Sequence, residues 1–164
     1  MKHLWAPWRM AYVSSTPQET GEGCFLCAAA GGSDDASLVV DRGDLAFVLM
    51  NRYPYTSGHL MVVPIRHSAG VLALTPEEGE AMFAATQRAV RALTEMMHPD
   101  GFNIGINQGS AAGASAEHVH VHVVPRWAGD TNFMPVLGDV KVLPQALETT
   151  AAHLREAFAR LGPL

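Results

Sequence analysis

The sequence predicts an α+β fold, with one layer of antiparallel strands backed by two helices. Five short runs are rich in β-branched and other apolar residues, and turn-forming residues separate several of them. Two longer stretches place apolar residues at helical spacing, one between the third and fourth strands and one near the C-terminus. Helices on one side of an antiparallel sheet bury its apolar face, so this order of elements fits one two-layer domain.

The first three strands are predicted in the first half of the chain. Residues 37–41 and 44–51 are apolar runs joined by an Arg-Gly pair, a pattern typical of a hairpin. The sequence Tyr-Pro-Tyr-Thr-Ser-Gly at residues 53–58 favours a turn, and residues 59–65 then form the third strand. Residues 28–35 are mostly small, and we expect them to be a flexible connector.

The first helix follows the third strand and has a clear start. Thr75 can cap its N-terminus, Pro76 occupies the first helical position and Glu78 completes a capping box. Five side chains recur at helical spacing and should form its buried face: Met82, Thr86, Val90, Leu93 and Met97. Pro-Asp-Gly at residues 99–101 ends the helix.

The remaining elements are two strands and a helix. Residues 102–107 alternate apolar and polar side chains and form the fourth strand, and residues 117–127 form the fifth. Residues 126–142 are irregular. Residues 144–161 form the second helix, with four side chains on its buried face: Leu147, Ala151, Leu154 and Phe158.

The length of 164 residues fits a single domain with its own core. We divide it into an N-terminal aromatic segment and loop (1–23), a core (24–127) and a C-terminal loop and helix (128–164). The two tryptophans and the tyrosine within residues 1–13 are expected to dock on the body of the protein or on a second subunit. A direct role in substrate binding is the alternative.

Composition and charge narrow the class of protein. The apolar fraction of 48% describes an ordinary globular chain. A net charge of −5 argues against a nucleic-acid partner, although a local site can still attract an anionic small molecule. No apolar run approaches the roughly 18 residues of a membrane span, and the N-terminus has no hydrophobic signal core. We therefore expect a cytoplasmic protein without a membrane partner.

Three histidines stand out in the fifth strand. His118, His120 and His122 alternate with valines, and this period of two predicts that their imidazoles point to one face, roughly 6.6 Å apart. The small, polar run 107–116 precedes them. A single strand histidine is usually structural, and a short histidine-rich tract can simply bind metal. Three histidines at alternate positions next to a small, polar run favour a functional site.

This pattern resembles the His-x-His-x-His-x-x signature of the histidine triad (HIT) superfamily of nucleotidyl hydrolases and transferases. Residues 47–64 are similar to the strand, turn and strand of that family, and Asn-Gln-Gly at residues 107–109 to its phosphate-facing segment. The resemblance covers about residues 24–127, and the terminal segments resemble the bacterial branch that includes diadenosine tetraphosphate phosphorylases. It implies the HIT fold, usually as a two-fold homodimer.

The resemblance also implies roles for the catalytic triad of His118, His120 and His122. His120 matches the nucleophile, which attacks an α-phosphorus and forms a covalent nucleotidyl-histidine, and His122 contacts the phosphate. A neutral imidazole suits this attack because its ordinary pKa, about 6.5, leaves one nitrogen unprotonated near neutral pH. Asn107 and Ser115 match donors to the phosphate oxygens. Two glycines would let the loop backbone approach the anion: Gly109 and Gly113.

Further residues match the family's nucleotide pocket. Asn51 matches the ribose contact, and Leu49 and Met61 match the apolar base pocket, although core packing explains either of these two equally well. His59 matches another position near the site, where catalytic and structural roles are both open.

The two cysteines suggest a metal. In a reducing compartment the close pair Cys24 and Cys27 is typical of a metal or redox element and not of a structural disulfide. The resemblance supplies two further ligands, His67 and His118, which would complete a tetrahedral structural zinc site. His120 then remains the nucleophile, and no organic cofactor is expected.

The function that follows is cleavage of a dinucleoside polyphosphate, such as diadenosine tetraphosphate, through a nucleotidyl-His120 intermediate. The terminal segments favour phosphorolysis slightly, with plain hydrolysis or cleavage of a nucleoside phosphoramidate as alternatives. A nucleotide- or zinc-binding module with little turnover is the alternative from another class.

Overall fold

The computed structural model describes residues 23–130 and 145–162. Their helices and strands follow one another as α1 (Phe25–Gly31), α2 (Asp34–Ser37), β1 (Val39–Arg42), β2 (Ala46–Met50), β3 (Leu60–Pro64), α3 (Pro76–Met97), β4 (Gly101–Ile106), β5 (Val121–Arg126) and α4 (Leu147–Arg160). Short 3₁₀ turns lie at Val71–Ala73 and Ser110–Ala112. The aromatic segment near the N-terminus and most of the irregular stretch 126–142 lie outside the described residues.

The five strands form one sheet in the order β1-β2-β3-β5-β4, and every neighbouring pair is antiparallel. The predicted α+β fold with a five-stranded antiparallel sheet is therefore confirmed. In the central strands His122 pairs with Met61 of β3 on one side and with Gly105 of β4 on the other. This register places the last triad histidine in the middle of the sheet.

The two long helices cover one face of the sheet, as the spacing of their apolar residues predicts. Side chains from four strands and both helices meet in the larger of two core clusters, which includes Val48, Leu60, Val62, Val123, Met82, Ala89, Leu93, Leu154 and Phe158. Of the helices that the structure describes, none is long and apolar enough to cross a membrane.

The start of α3 is the capping box that the sequence predicts. The Thr75 side chain accepts a hydrogen bond from the Glu78 backbone at 3.2 Å, and the Glu78 carboxylate accepts one from the Thr75 backbone at 2.9 Å. Arg66 donates to the same carboxylate. These contacts hold the pKa of Glu78 below its usual range, chiefly through the bond from Arg66.

Two expectations about local structure are wrong. Residues 28–35, predicted to be a connector, contribute to α1 and α2, because Leu26 and Ala29 are buried against the sheet face opposite the long helices. A helix of seven residues is too short to show a repeating apolar pattern in the sequence.

The fifth strand also begins later than predicted, at Val121 and not at residue 117. The Val119 backbone donates its hydrogen bond to the Ser68 carbonyl at 2.7 Å and not to a neighbouring strand. His118 and His120 therefore precede β5, and only His122 lies within it.

Candidate active site

A cavity of about 670 Å³ opens beside the ends of β2 and β4 and the start of β5, within the range typical of small-molecule sites. The structure brings eight of the predicted site residues to its lining: Leu49, Asn51, Met61, Asn107, Gly113, Ser115, His120 and His122. The cavity therefore joins predicted site residues that are up to 73 positions apart in the chain, from Leu49 to His122.

His120 is buried, and a single hydrogen bond fixes its chemistry. Its Nδ1–H donates to the backbone carbonyl of His118 at 2.8 Å. The lone pair of a neutral ring is then on Nε2, the atom that a nucleophilic imidazole uses. Burial lowers the pKa of His120 below its ordinary value, while the bond to the carbonyl acts in the opposite direction and more weakly. The lining of the cavity thus includes a neutral imidazole with a defined tautomer.

A second hydrogen-bonded chain sets the tautomer of His122. The Tyr55 backbone N–H donates to His59 Nδ1 at 3.1 Å, so a neutral His59 carries its proton on Nε2. That nitrogen lies 3.0 Å from His122 Nδ1 and donates to it. A neutral His122 therefore carries its own proton on Nε2. His59 itself is fully buried behind His122 and stacks on the Tyr55 ring at 4.7 Å between centroids.

The loop between β4 and β5 supplies the polar side of the cavity. It turns through the 3₁₀ segment Ser110–Ala112, which is flanked by Gly109 and Gly113, both with a φ of +82°. This left-handed backbone favours glycine, which explains both residues without reference to a ligand. Gly113 lines the cavity as predicted, whereas Gly109 is outside its lining.

Two buried apolar side chains form part of the cavity lining. Leu49 and Met61 belong to the smaller core cluster, so they pack in the core and line the cavity at the same time. The Asn51 carboxamide oxygen accepts a hydrogen bond from the Tyr53 backbone at 2.8 Å. This bond directs the amide nitrogen of Asn51 to act as the donor toward a ligand.

Sequence reasoning missed the opposite side of the cavity. Residues of α1 and α2 and their flanks line it there: Phe25, Ala28, Ala29, Ala36 and Ser37. Alanines carry little signal of their own. Phe25, however, lies between Cys24 and Cys27 in the sequence. If these cysteines share a metal ion with His118, Phe25 must lie close to the triad, and this signal could have located it.

The third triad histidine faces a different group. His118 is fully buried, is absent from the cavity lining, and lies with Cys24, Cys27 and His67. One ligand atom from each of the four falls within 4.8 Å of the others. His118 Nδ1 is 3.5 Å from both cysteine sulfurs, and His67 Nδ1 is 3.3 Å from Cys27 Sγ.

These four residues fit a tetrahedral metal ion. Zn–S and Zn–N bonds at tetrahedral angles put sulfur and nitrogen about 3.6 Å apart, close to the separations found here. The His118 Nε2–H donates to the Pro64 carbonyl at 3.0 Å, which leaves Nδ1 unprotonated and facing the sulfurs. Such an outer hydrogen bond is the usual means of orienting a metal-binding histidine.

The chain matches known proteins along most of its length. A family model described as HIT domain matches residues 33–129. A protein of Mycobacterium tuberculosis (strain ATCC 25618 / H37Rv) named AP-4-A phosphorylase is 42% identical over 167 aligned residues, which cover 98% of this chain and 86% of that protein.

Two further matches extend the comparison. A Dictyostelium discoideum protein named bis(5'-adenosyl)-triphosphatase is 37% identical over 83 residues, covering 51% of this chain and 56% of that protein. Among solved structures, a Zn-bound histidine triad family protein from Mycobacterium smegmatis superposes with a TM-score of 0.68 and 31% identity. That match covers 85% of this chain and 95% of the other.

Proposed function

Because the chain belongs to the HIT family, we propose that it cleaves a dinucleoside polyphosphate such as diadenosine tetraphosphate, with phosphorolysis favoured over hydrolysis. The family that the sequence predicts is confirmed, and so is its enzyme class, which acts on phosphoric anhydride bonds. The preference for phosphorolysis is supported by the name of the M. tuberculosis relative.

One observation carries the mechanism: the Nδ1–H of His120 is bound to the His118 carbonyl at 2.8 Å. This bond directs the reactive lone pair of Nε2 toward a phosphorus atom in the cavity. In the first step a bond forms between Nε2 and the α-phosphorus, and the bond from that phosphorus to the bridging oxygen breaks. With diadenosine tetraphosphate, ATP leaves and an adenylyl group stays on His120.

In the second step an acceptor releases the nucleotide. Inorganic phosphate attacks the adenylyl phosphorus, the phosphorus–nitrogen bond breaks, and the product is ADP. Water in place of phosphate would give AMP. In both cases the imidazole returns to its neutral form, so His120 is ready for another cycle.

The polar lining would stabilise the charge on the reacting phosphate. His122 presents Nε2–H as a donor because His59 occupies its Nδ1. Asn107 and Ser115 add side-chain donors, and Gly113 lets the loop backbone come close to the anion. Catalysis of phosphoryl transfer depends mainly on this kind of positioning and charge stabilisation.

We propose that Cys24, Cys27, His67 and His118 hold a structural zinc ion, as the Zn-bound relative from M. smegmatis suggests. The ion would crosslink α1 to the segment before β5. The catalytic part of His118 is then its backbone carbonyl, while its side chain serves the metal.

We further propose a homodimer in the cytoplasm. In the described part of the chain β4 is an edge strand, and Ile104, Ile106 and Phe83 are exposed beside it. An unpaired edge next to apolar side chains favours pairing with a second copy. A cytoplasmic location is supported by the two free cysteines, which a reducing compartment would maintain.

The test is product analysis of diadenosine tetraphosphate cleavage with and without inorganic phosphate. ADP and ATP formed only with phosphate is the expected result. AMP and ATP formed in both conditions would instead identify an asymmetric hydrolase. Without any products, cleavage of a nucleoside phosphoramidate is measured next. If that is also absent while AMP raises the Tm, the binding module becomes the better description.

Replacement of His59 is expected to slow turnover through His122. His59→Leu removes the donor to His122 Nδ1, so the proton of His122 is no longer confined to Nε2. Loss of one hydrogen bond to a group that stabilises charge corresponds to a fall in kcat of about 10- to 100-fold. His59→Gln, which keeps an N–H donor near the same place, should retain more activity in steady-state assays. Equal activity of His59→Leu and the unaltered protein would contradict the role of this chain of hydrogen bonds.

A further inference from the structure

One side of the cavity is formed by a short segment that packs against the sheet face opposite the long helices. This segment, residues 25–38, comprises α1, α2 and the residues that join them to β1, and we call it the pocket wall. Phe25, Ala28, Ala29, Ala36 and Ser37 line the cavity from it. A nucleoside bound against the sheet would therefore contact the pocket wall on its other side.

The pocket wall depends on contacts outside itself. Its helices have only 7 and 4 residues, and helices shorter than about 12 residues are marginal in isolation. The last carbonyls of a helix also lack partners within the helix. No basic residue of α1 lies in its last turn to satisfy them. The position of the wall must be set by residues of other elements.

Arg42, at the end of β1, supplies those partners. Its guanidinium donates to three carbonyls at the end of α1 and to one carboxylate at the start of α2: Ala29 (3.0 Å), Ala30 (2.6 Å), Gly32 (3.2 Å) and Asp34 (2.7 Å). The same guanidinium lies 5.8 Å from the centre of the buried Phe47 ring. One side chain thus connects both short helices to the sheet.

Arg155, in α4, holds the other end of the pocket wall. Its Nε donates to the Val39 carbonyl at 2.7 Å, where the wall joins β1. Its two terminal nitrogens donate to the Asp34 carbonyl at 2.9 Å and to the Asp35 carboxylate at 2.7 Å. Because Asp35 is largely exposed, its ion pair with Arg155 contributes little to stability. The two hydrogen bonds from Arg155 to backbone carbonyls contribute most to holding this end of the pocket wall.

We infer that Arg42 and Arg155 are positioning residues for nucleotide binding, acting through the pocket wall without touching the substrate. Neither arginine is among the residues that line the cavity. His120 and His122 line the cavity, and neither arginine hydrogen-bonds to them. The inference rests on the proposed function, and it separates two parts of the site: the arginines affect nucleotide affinity, and the histidines affect the chemical step.

The test compares AMP affinity and steady-state kinetics in Arg42→Ala, Arg42→Lys and Arg155→Ala. Arg42→Ala should bind AMP about tenfold more weakly by calorimetry, because several hydrogen bonds that fix the wall are lost. KM for diadenosine tetraphosphate should rise by a similar factor while kcat stays within about twofold, the pattern expected when only binding is impaired. Arg42→Lys keeps the charge but not the branched set of donors, so it should resemble Arg42→Ala.

Arg88→Ala is the matched control. Arg88 also connects β1 to another element, since it pairs with Asp41 at 2.9 Å and donates to the Gly162 carbonyl. It contacts β1 from α3, and neither of its hydrogen-bond partners belongs to the pocket wall. A general loss of stability should therefore appear in Arg88→Ala without a change in AMP affinity or KM. Should Arg42→Ala fail to fold, Arg155→Ala provides the same comparison.

Unchanged AMP affinity in folded Arg42→Ala or Arg155→Ala would overturn the inference, as would an equal loss of affinity in Arg88→Ala. Failure of the proposed function would look different. In that case the unaltered protein would not cleave diadenosine tetraphosphate, whereas its AMP affinity and those of the arginine variants would still test the role of the two arginines. An unaltered protein that does not bind AMP would overturn both proposals.

Discussion

Replacement of His120 by alanine is expected to lower kcat for diadenosine tetraphosphate by about 10⁴-fold or more, the loss seen when an enzyme nucleophile is removed. The substitution removes the imidazole whose tautomer is set by its hydrogen bond to the His118 carbonyl. Folding should be preserved, because the side chain lines a cavity and its Nδ1–H donates to a backbone carbonyl only two residues away. AMP binding, measured by calorimetry, should therefore persist while product formation is lost.

Two controls make this result specific. His153→Ala removes an exposed histidine of α4 and should leave kcat unchanged. His120→Gly should recover part of its activity when free imidazole is added, since the added ring can act as the nucleophile in the space left. A rate in His120→Ala close to that of the unaltered protein would contradict the covalent mechanism.

Replacement of Cys24 by serine is expected to have the largest effect on stability. It removes one of the four proposed ligands, so zinc content after purification should fall well below one ion per chain. Zinc at 100 times its dissociation constant stabilises a folded protein by about 2.7 kcal/mol. For a chain of this size that corresponds to a fall in Tm of about 5–10 °C. The chemical step should change less than the Tm, because Nε2 of His120 is not in the cluster.

Metal analysis and thermal unfolding, each with and without a chelator, check this prediction. Chelation should lower the Tm of the unaltered protein toward that of Cys24→Ser and should leave the variant unchanged. Equal zinc content in the two proteins, purified without chelator, would refute the assignment of this cluster as the metal site.

Long elements of the fold could be predicted because each carries several independent signals. α3 has a capping box, a proline at its first position and apolar side chains on one face, and the structure begins it at Pro76. α1 was missed because its burial depends on contacts that are distant in sequence. Leu26 and Ala29 pack against Val39, Phe47 and Leu49, which no local pattern reveals.

The parts of the candidate site that depend on residue type and motif spacing could be predicted from the sequence. The parts that depend on the path of the backbone could not. The alternation of histidine and valine predicts a strand, which the structure shows only from Val121 onward; it does not reveal that the Val119 backbone bonds to the Ser68 carbonyl instead of to a neighbouring strand. This departure turns His118 toward the cysteines while His120 and His122 line the cavity. The roles of these residues stay predictions, which the variants above test.

The hydrogen bond between His120 and residue 118 ends on a main-chain carbonyl, a group that every amino acid possesses. Mutation of the side chain at position 118 therefore cannot delete the acceptor that orients the nucleophile. The metal ligands can therefore be changed independently of the nucleophile, although His118 and His120 are only two positions apart in the chain. A protein engineer could replace the four polar ligands by a packed set of apolar side chains and still keep the reactive imidazole in register.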